Sequence, residues 1–373
     1  MVAGASDART AQGADVATGL GLSVREDGVL LRQGRPYRAI GVNYFDAFGR
    51  QLDNPKGESA DAGFKALADR AIPFARIRGC GFWPSEQKRY RQNPEEFFAR
   101  FDKVVRSAER HGIGLIPSLF WHVPTVPDLV GEPVNQWGNP RSKTHEYMRS
   151  YVRDAVTRYR TSPAIWGWEF GNEYNLAADL PNAAHHRPPI VPPLGTPATR
   201  SQQDELSFDD VRTALAAFAA EVRKYDPQRI IVTGNSIPRS SAWHNWKEKK
   251  WTADTPEQFA LMLRADNPDP TGTICVHIYG EAVRQVAAVA ELSRGWKRPL
   301  FVGEFGACGP RERCEPEFRS LLTAIQRAEV PLAALWVYDF QGQKDTCNVT
   351  PTNDRAYQLQ AIAEANARIR SAR

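Results

Sequence analysis

Two glutamates stand in frames that put a carboxylate at the end of a short apolar run. One frame is Trp168-Glu169-Phe170-Gly171-Asn172-Glu173; the other is Pro299-Leu300-Phe301-Val302-Gly303-Glu304-Phe305-Gly306. Each run reads as a buried strand that passes straight into a loop. In a barrel of parallel strands, side chains that do chemistry emerge at that strand end. Two carboxylates facing one cleft suffice to cleave a glycosidic bond: one protonates the departing oxygen, the other attacks or activates water.

The two carboxylates need opposite surroundings. An acid must hold its proton near neutral pH, so Glu173 is expected to have a raised pKa, from partial burial and a neighbouring carboxylate. Asn172 beside it can hydrogen-bond a sugar hydroxyl. A nucleophile must stay ionised, so Glu304 needs cations and donors around it. Arg76, near the end of its own apolar run, is a candidate cation. In His277-Ile278-Tyr279 the histidine and the tyrosine share one face by the period of two. From there Tyr279 can donate a hydrogen bond to Glu304.

Eight apolar, β-branched segments carry these residues: 39–43, 74–78, 114–119, 165–169, 229–233, 273–278, 300–304 and 334–338. A helical pattern follows each. Strand and helix in alternation imply a parallel sheet, and eight units are what a closed (β/α)8 barrel needs. In one helix, Asn93-Pro94-Glu95-Glu96 predicts an N-cap, a proline at the first turn and a glutamate reaching back to the cap. Gly112 closes that helix. Ser207 predicts a second cap, and a last helix is expected over 354–369. Residues 22–31 read as a hairpin with Asp27-Gly28 at its turn, placed to plug the N-terminal mouth of the barrel. The Pro-rich run 181–197 reads as a long loop, because the barrel pattern resumes beyond it. Residues 1–20 are expected to be disordered, leaving 21–373 as one barrel domain.

Taken together, these frames resemble the retaining β-glycosidases of clan A, and glycoside hydrolase family 5 most closely. The resemblance runs over nearly the whole chain as an ordered series of strand-end motifs. It implies that Glu173, preceded by Asn172, is the acid/base after the fourth strand, and that Glu304 is the nucleophile after the seventh. It implies substrate-binding roles for Arg76 on the second strand, His277 and Tyr279 after the sixth, and Trp336 on the eighth as the floor of the cleavage subsite. His122, after the third strand, stands where many members show Asp-x-His, but Phe120 and Trp121 precede it here. Tyr174 and Arg78 stand where proline is common in the family. The implied mechanism is double displacement, with carboxyl groups about 5–5.5 Å apart.

Ten tryptophans add to this picture. Trp83, Trp121 and Trp137 fall in loops after the second and third strands, and Trp243, Trp246 and Trp251 in the loop after the fifth. Loop tryptophans can be platforms for sugar rings or packing beneath long loops; Trp121 is counted among the substrate-binding candidates. The long loops 175–203 and 235–255 could wall off one end of the cleft, which would favour short chains or terminal residues.

Composition sets bounds. The chain has 373 residues, 42% hydrophobic and 24% charged, with a net charge of +5. Its basic residues are scattered, so no nucleic-acid footprint is expected. No stretch approaches the ~18 apolar residues of a membrane span. Of seven histidines only His122 and His277 fall at strand ends, and no His-x-His or His-Glu-x-x-His pattern occurs, so no metal or other cofactor is expected. Cys308, Cys314 and Cys347 crowd the last loops, as one disulfide in an oxidising compartment or as isolated buried thiols. The expectation is a monomeric, secreted or periplasmic hydrolase of β-mannan or β-1,4-glucan type acting on an oligo- or polysaccharide. The alternatives are a transglycosylase with the same residues and a non-catalytic carbohydrate-binding barrel.

Overall fold

A computed structural model describes residues 19–372. The expected disordered segment 1–20 lies outside the described residues except for Gly19 and Leu20. The chain opens with three short antiparallel strands, β1 (Leu22–Val24), β2 (Leu30–Arg32) and β3 (Arg35–Pro36). Gly28, at the turn between the first two, has φ +86°, a conformation that suits glycine.

The eight strands that follow are parallel: β4 (Ala39–Asn43), β5 (Phe74–Arg78), β6 (Gly114–Phe120), β7 (Gly167–Gly171), β8 (Ile230–Val232), β9 (Ile274–Ile278), β10 (Leu300–Phe305) and β11 (Leu332–Leu335). Their order is β8-β7-β6-β5-β4-β11-β10-β9. With helices packed around them they form the expected (β/α)8 barrel. The last strand is shifted from its expected span: it ends at Leu335, so Trp336 is the first residue beyond it.

Side chains of alternate residues point into the barrel and stack in layers. Phe74, Ile116, Trp166, Ile230, Cys275, Phe301 and Leu332 form an apolar layer at the bottom. Leu22 and Leu30 of the hairpin pack onto it, and the Leu22 N–H bonds the Trp166 carbonyl at 2.8 Å, so the hairpin closes the N-terminal mouth. On three strands the character changes two residues further up: Phe74 is followed by Arg76, Gly167 by Glu169 and Cys275 by His277. An apolar floor thus excludes water from below an ionic layer. The outer core, between strands and helices, is largely apolar, with buried exceptions such as Asn366, whose amide pairs with the Ile40 backbone.

Helix ends follow local chemistry with one difference. Ser207 and Asp210 make the reciprocal capping bonds of the helix Phe208–Tyr225, and Gly112 ends the helix Pro94–His111 at φ +66°. Asn93 caps that helix by accepting from Glu96 N–H, but Glu96 returns to the Asn93 side chain, not its backbone. The reason is competition: the Asn93 N–H is bound by the Arg89 carbonyl of the preceding helix. The last helix spans Ala356–Ser371.

Among the described residues no ladder joins β8 to β9. Polar side chains fill that seam. The Asn267 side-chain oxygen Oδ1 accepts from the Thr233 hydroxyl at 3.0 Å and from the Cys275 N–H at 2.8 Å. The Thr273 hydroxyl donates to the Ile231 carbonyl at 2.7 Å. The three polar side chains, Thr233, Asn267 and Thr273, are buried, and their pairing is what makes that burial tolerable.

Candidate active site

Arg76 is fully buried at the centre of the ionic layer. Its Nε donates to both Glu169 oxygens at 2.8 Å, one terminal nitrogen to Glu304 Oε1 at 2.6 Å, and the other to Asn172 Oδ1 at 2.8 Å. Asn43 accepts a further bond at 3.0 Å. A buried guanidinium is stable only when paired and hydrogen-bonded in this way. Its face is covered by Trp121, whose ring lies 4.3 Å away in cation–π contact. Glu304 receives its second bond from the Tyr279 hydroxyl, at 2.6 Å to Oε2, the donation that the alternation of His277 and Tyr279 predicted. Burial and the Glu304 charge push the Tyr279 hydroxyl pKa well above its ordinary value, so it remains a donor.

Gly303 sets the direction of Glu304. The register of β10 with β9 shifts between Val302 and Glu304, leaving Gly303 as an extra residue in a bulge. The Gly303 carbonyl is held by Asn43 Nδ2 at 2.9 Å. A Cβ at this position would meet His277 Nε2 at 2.9 Å. The Gly-Glu order of the sequence frame therefore has a steric cause: only glycine lets His277 pack under the carboxylate.

Glu173 is held differently. It sits in the left-handed region at φ +53°, rare for a residue with a side chain. Its N–H bonds the Gly234 carbonyl of the next loop at 2.8 Å. Its side chain is 31% exposed, against 6% for Glu304. Glu173 Oε1 lies 3.1 Å from His277 Nδ1, which is also 3.6 Å from Glu304 Oε1. Carboxylate oxygens of the two glutamates and this imidazole nitrogen all lie within 4.8 Å of one another. In type the trio could ligate a metal, but the Arg76 guanidinium already stands as the cation against Glu304.

The electrostatics depart from the expectation of a raised pKa at Glu173. Burial pushes this carboxyl up, but the hydrogen bond and charge of His277, the charge of Arg76 and a hydrogen bond with Ser236 bring it below its ordinary value. Burial lowers His277, but the Glu304 charge, the neighbouring Cys275 side chain and the bond with Glu173 outweigh that and lift it to about 10. In the unliganded site the proton of the pair therefore rests on the imidazole, facing the carboxylate.

Around this centre, Trp336 lies at the rim with its indole N–H on Gln343 Oε1 at 2.9 Å, and its ring stacks on Trp121 at 6.0 Å. Trp121 is only 5% exposed because its face is engaged by Arg76. Trp137 is wholly buried, its N–H on the Val123 carbonyl, and so packs beneath a loop. His122 stacks on Phe82 at 4.4 Å and bonds the Phe82 carbonyl at 3.3 Å; burial lowers its pKa to about 4. It lines a small cavity of about 170 Å³ with Pro188 and Leu206, apart from the carboxylate cluster. Cys308 and Cys347 form a disulfide between the loops that follow β10 and β11, and Cys314 is a buried thiol. The Pro-rich loop is tied down by Arg200, buried against Asp128 at 2.6 Å and Asp204 at 3.3 Å.

Three contributors were not singled out from sequence: Asn43, Glu169 and Ser236. Asn43 and Glu169 are polar residues within or ending apolar strand runs, which is a readable signal. Ser236 carries none, since its approach to Glu173 depends on the fold of a separate loop.

Comparison with known proteins places this geometry in context. The family model described as cellulase (glycosyl hydrolase family 5) matches residues 35–341. A mannan endo-1,4-beta-mannosidase F of Aspergillus clavatus is 36% identical over 85 residues, which is 20% of this chain and 18% of that protein. The match therefore spans about a fifth of the relative's length. The structure of a glycoside hydrolase family 5 mannosidase from Rhizomucor miehei superposes with a TM-score of 0.67 at 12% identity, covering 95% of this chain and 99% of that one. An endo-1,4-beta-mannanase from the same organism gives 0.67 at 13% identity, covering 93% and 99%. At such identities the two structures speak for the fold alone.

Proposed function

The chain belongs to glycosyl hydrolase family 5, and from that membership we propose that it is a retaining hydrolase of β-linked glycans, with β-mannan ahead of β-1,4-glucan. The observation that carries this reading is the pair of carboxylates with oxygens within 4.8 Å. Retaining enzymes hold their carboxyl groups about 5–5.5 Å apart, whereas inverting enzymes leave about 6.5–9.5 Å for a water. The preference for mannan rests on the named activity of the Aspergillus relative, carried over as a proposal.

Glu304 is the nucleophile in this reading. Arg76 and Tyr279 each bond one of its oxygens, and its bulged strand aims it at the anomeric carbon. Glu173 is the acid/base. As Glu304 bonds the anomeric carbon, the C1–O bond breaks and the leaving oxygen takes the proton shared by Glu173 and His277. Esterification removes the Glu304 charge that held the proton on His277, so the pair gives it up as the ester forms. Glu173 is then an anion and takes a proton from water, whose oxygen attacks C1 and frees Glu304. The pair ends with the proton it began with.

Trp336 and Asn172 are the groups placed to meet the sugar at the cleavage point, and Trp121 supports Trp336 from beneath. Product ladders on β-mannan, glucomannan, cellulosic, xylan and β-1,3-glucan substrates test the proposal. Cleavage of mannan with retained anomeric configuration, abolished in Glu304→Gln, is the expected result. An inverted product would overturn the mechanism, and cleavage of another glycan alone would overturn the substrate.

A further inference from the structure

The unladdered seam between β8 and β9 lies beside Glu173, and the chain next to that seam is knitted together by one asparagine. Asn175, two residues after Glu173, is 2% exposed. Its Nδ2 donates to the Ser236 carbonyl at 2.8 Å, and its Oδ1 accepts the Ser236 N–H at 3.1 Å. This is a two-bond clasp, a side-chain amide doing what a paired strand would do. The same Nδ2 donates to Asp266 Oδ2 at 3.0 Å. Asn235 completes the set, donating to the Asp266 carbonyl at 2.8 Å and accepting the Asn175 N–H at 3.4 Å. Asp266 itself is 2% exposed. It caps the helix Pro256–Ala265, and the neighbouring Asn267 bridges β8 to β9.

Asn175, Asn235 and Asp266 do not touch the carboxylate cluster. Yet two of the anchors of Glu173, besides its bond with His277, lead to them. The Glu173 N–H rests on the Gly234 carbonyl, and the Ser236 side chain is among the groups that lower the Glu173 carboxyl; Ser236 is the residue that Asn175 clasps. A residue held at positive φ relaxes toward commoner backbone angles once its anchors go. We propose that Asn175 and Asp266 are positioning residues that hold the acid/base carboxylate on the leaving oxygen by closing the barrel seam with side chains. The inference rests on the proposed role of Glu173.

The reaction offers a readout that a merely structural role would not move. A dinitrophenolate departs without a proton, whereas an alkoxide needs one from Glu173. Displacing Glu173 should therefore slow glycosylation only where the leaving group is poor. The experiment compares kcat/KM, which reports glycosylation, for a 2,4-dinitrophenyl glycoside and an unactivated glycoside of the same sugar. For Asn175→Ala the expected result is at least a tenfold loss on the unactivated substrate and less than twofold on the dinitrophenyl one. Asp266→Ala, read in the same way, serves if the first variant does not fold, and Asp266→Asn, which keeps an acceptor for Asn175, should stay near wild type. Equal losses on both substrates, or none on either, would overturn the inference. Glu173→Ala run alongside separates the two readings: a leaving-group split in that variant without one in Asn175→Ala sinks only the positioning role. No split in Glu173→Ala sinks the acid/base assignment itself.

Discussion

Glu304 lies on β10, which is laddered on both sides, to β9 and to β11, while Glu173 hangs from a loop beside the one seam where the described strands have no ladder. The first carboxylate is almost wholly enclosed and bonded at its two oxygens by Arg76 and Tyr279. The second is a third exposed, strained at its backbone, and bonded to a histidine with which it can trade a proton. The contrast follows from the work asked of each. An attacking group gains from fixed position and fixed charge, because preorganised dipoles need no rearrangement in the transition state. A group that gives a proton and later takes one must change charge, so it needs contact with water and a partner that can hold the proton.

The contrast can be broken most severely at the enclosed side. Glu304→Gln should lower kcat by about five orders of magnitude on every substrate, about 7 kcal/mol of transition-state stabilisation. Steady-state rates on activated and unactivated glycosides check this, and a loss that depends on the leaving group would place Glu304 in the wrong role. Glu173→Ala should cost about 10²–10⁴-fold on unactivated substrates, with much of the rate on dinitrophenyl glycosides restored by azide, which needs no base. Absence of rescue would argue against an acid/base there.

Stability should separate the two sides as well. Arg76→Met leaves Glu169 and Glu304 buried without their cation, and breaking such a pair costs about 3–5 kcal/mol. Urea denaturation near neutral pH should show it, and a loss under 1 kcal/mol would mean that the ionic layer is wetter than it looks. Gly303→Ala should cost about 1–3 kcal/mol by overpacking against His277 Nε2.

A pH-dependent effect belongs to the seam. Burial raises the Asp266 carboxyl from an ordinary 3.8 to about 7, against the hydrogen bond from Asn175 and the charge of Arg212. Between those pH values the folded chain holds a proton that the unfolded chain has lost. That contribution is full below about pH 4 and vanishes as pH rises through 7. Asparagine has no such proton to lose. The Tm of Asp266→Asn relative to wild type should therefore rise from pH 4 to pH 7, and a flat difference would mean that Asp266 stays charged.

The two sides also differ in how far the sequence discloses them. Glu304, Arg76, His277 and Tyr279 occur as strand-end residues in short frames, so strand ends bring them to one rim, and the Gly303 bulge turns Glu304 toward the others. The seam escapes such reading. Asn175 and Asp266 are 91 positions apart, and nothing local in either marks the pairing. Trp121 and Trp137 show the same limit: residue type proposes a platform, but the three-dimensional packing covers one with Arg76 and buries the other. The Glu173 carboxyl was expected to be raised because its neighbours in sequence offered burial and a carboxylate. The His277 charge that reverses the sign arrives from 104 residues away.

The central claim is that the enclosed carboxylate attacks sugar while the exposed one moves protons. A 2-deoxy-2-fluoro dinitrophenyl glycoside tests it directly, because fluorine slows release of the covalent intermediate more than its formation. After reaction, mass spectrometry of the peptides should find one fluorosugar, esterified to Glu304. A label on Glu173, or turnover with inversion and no label at all, would contradict the account.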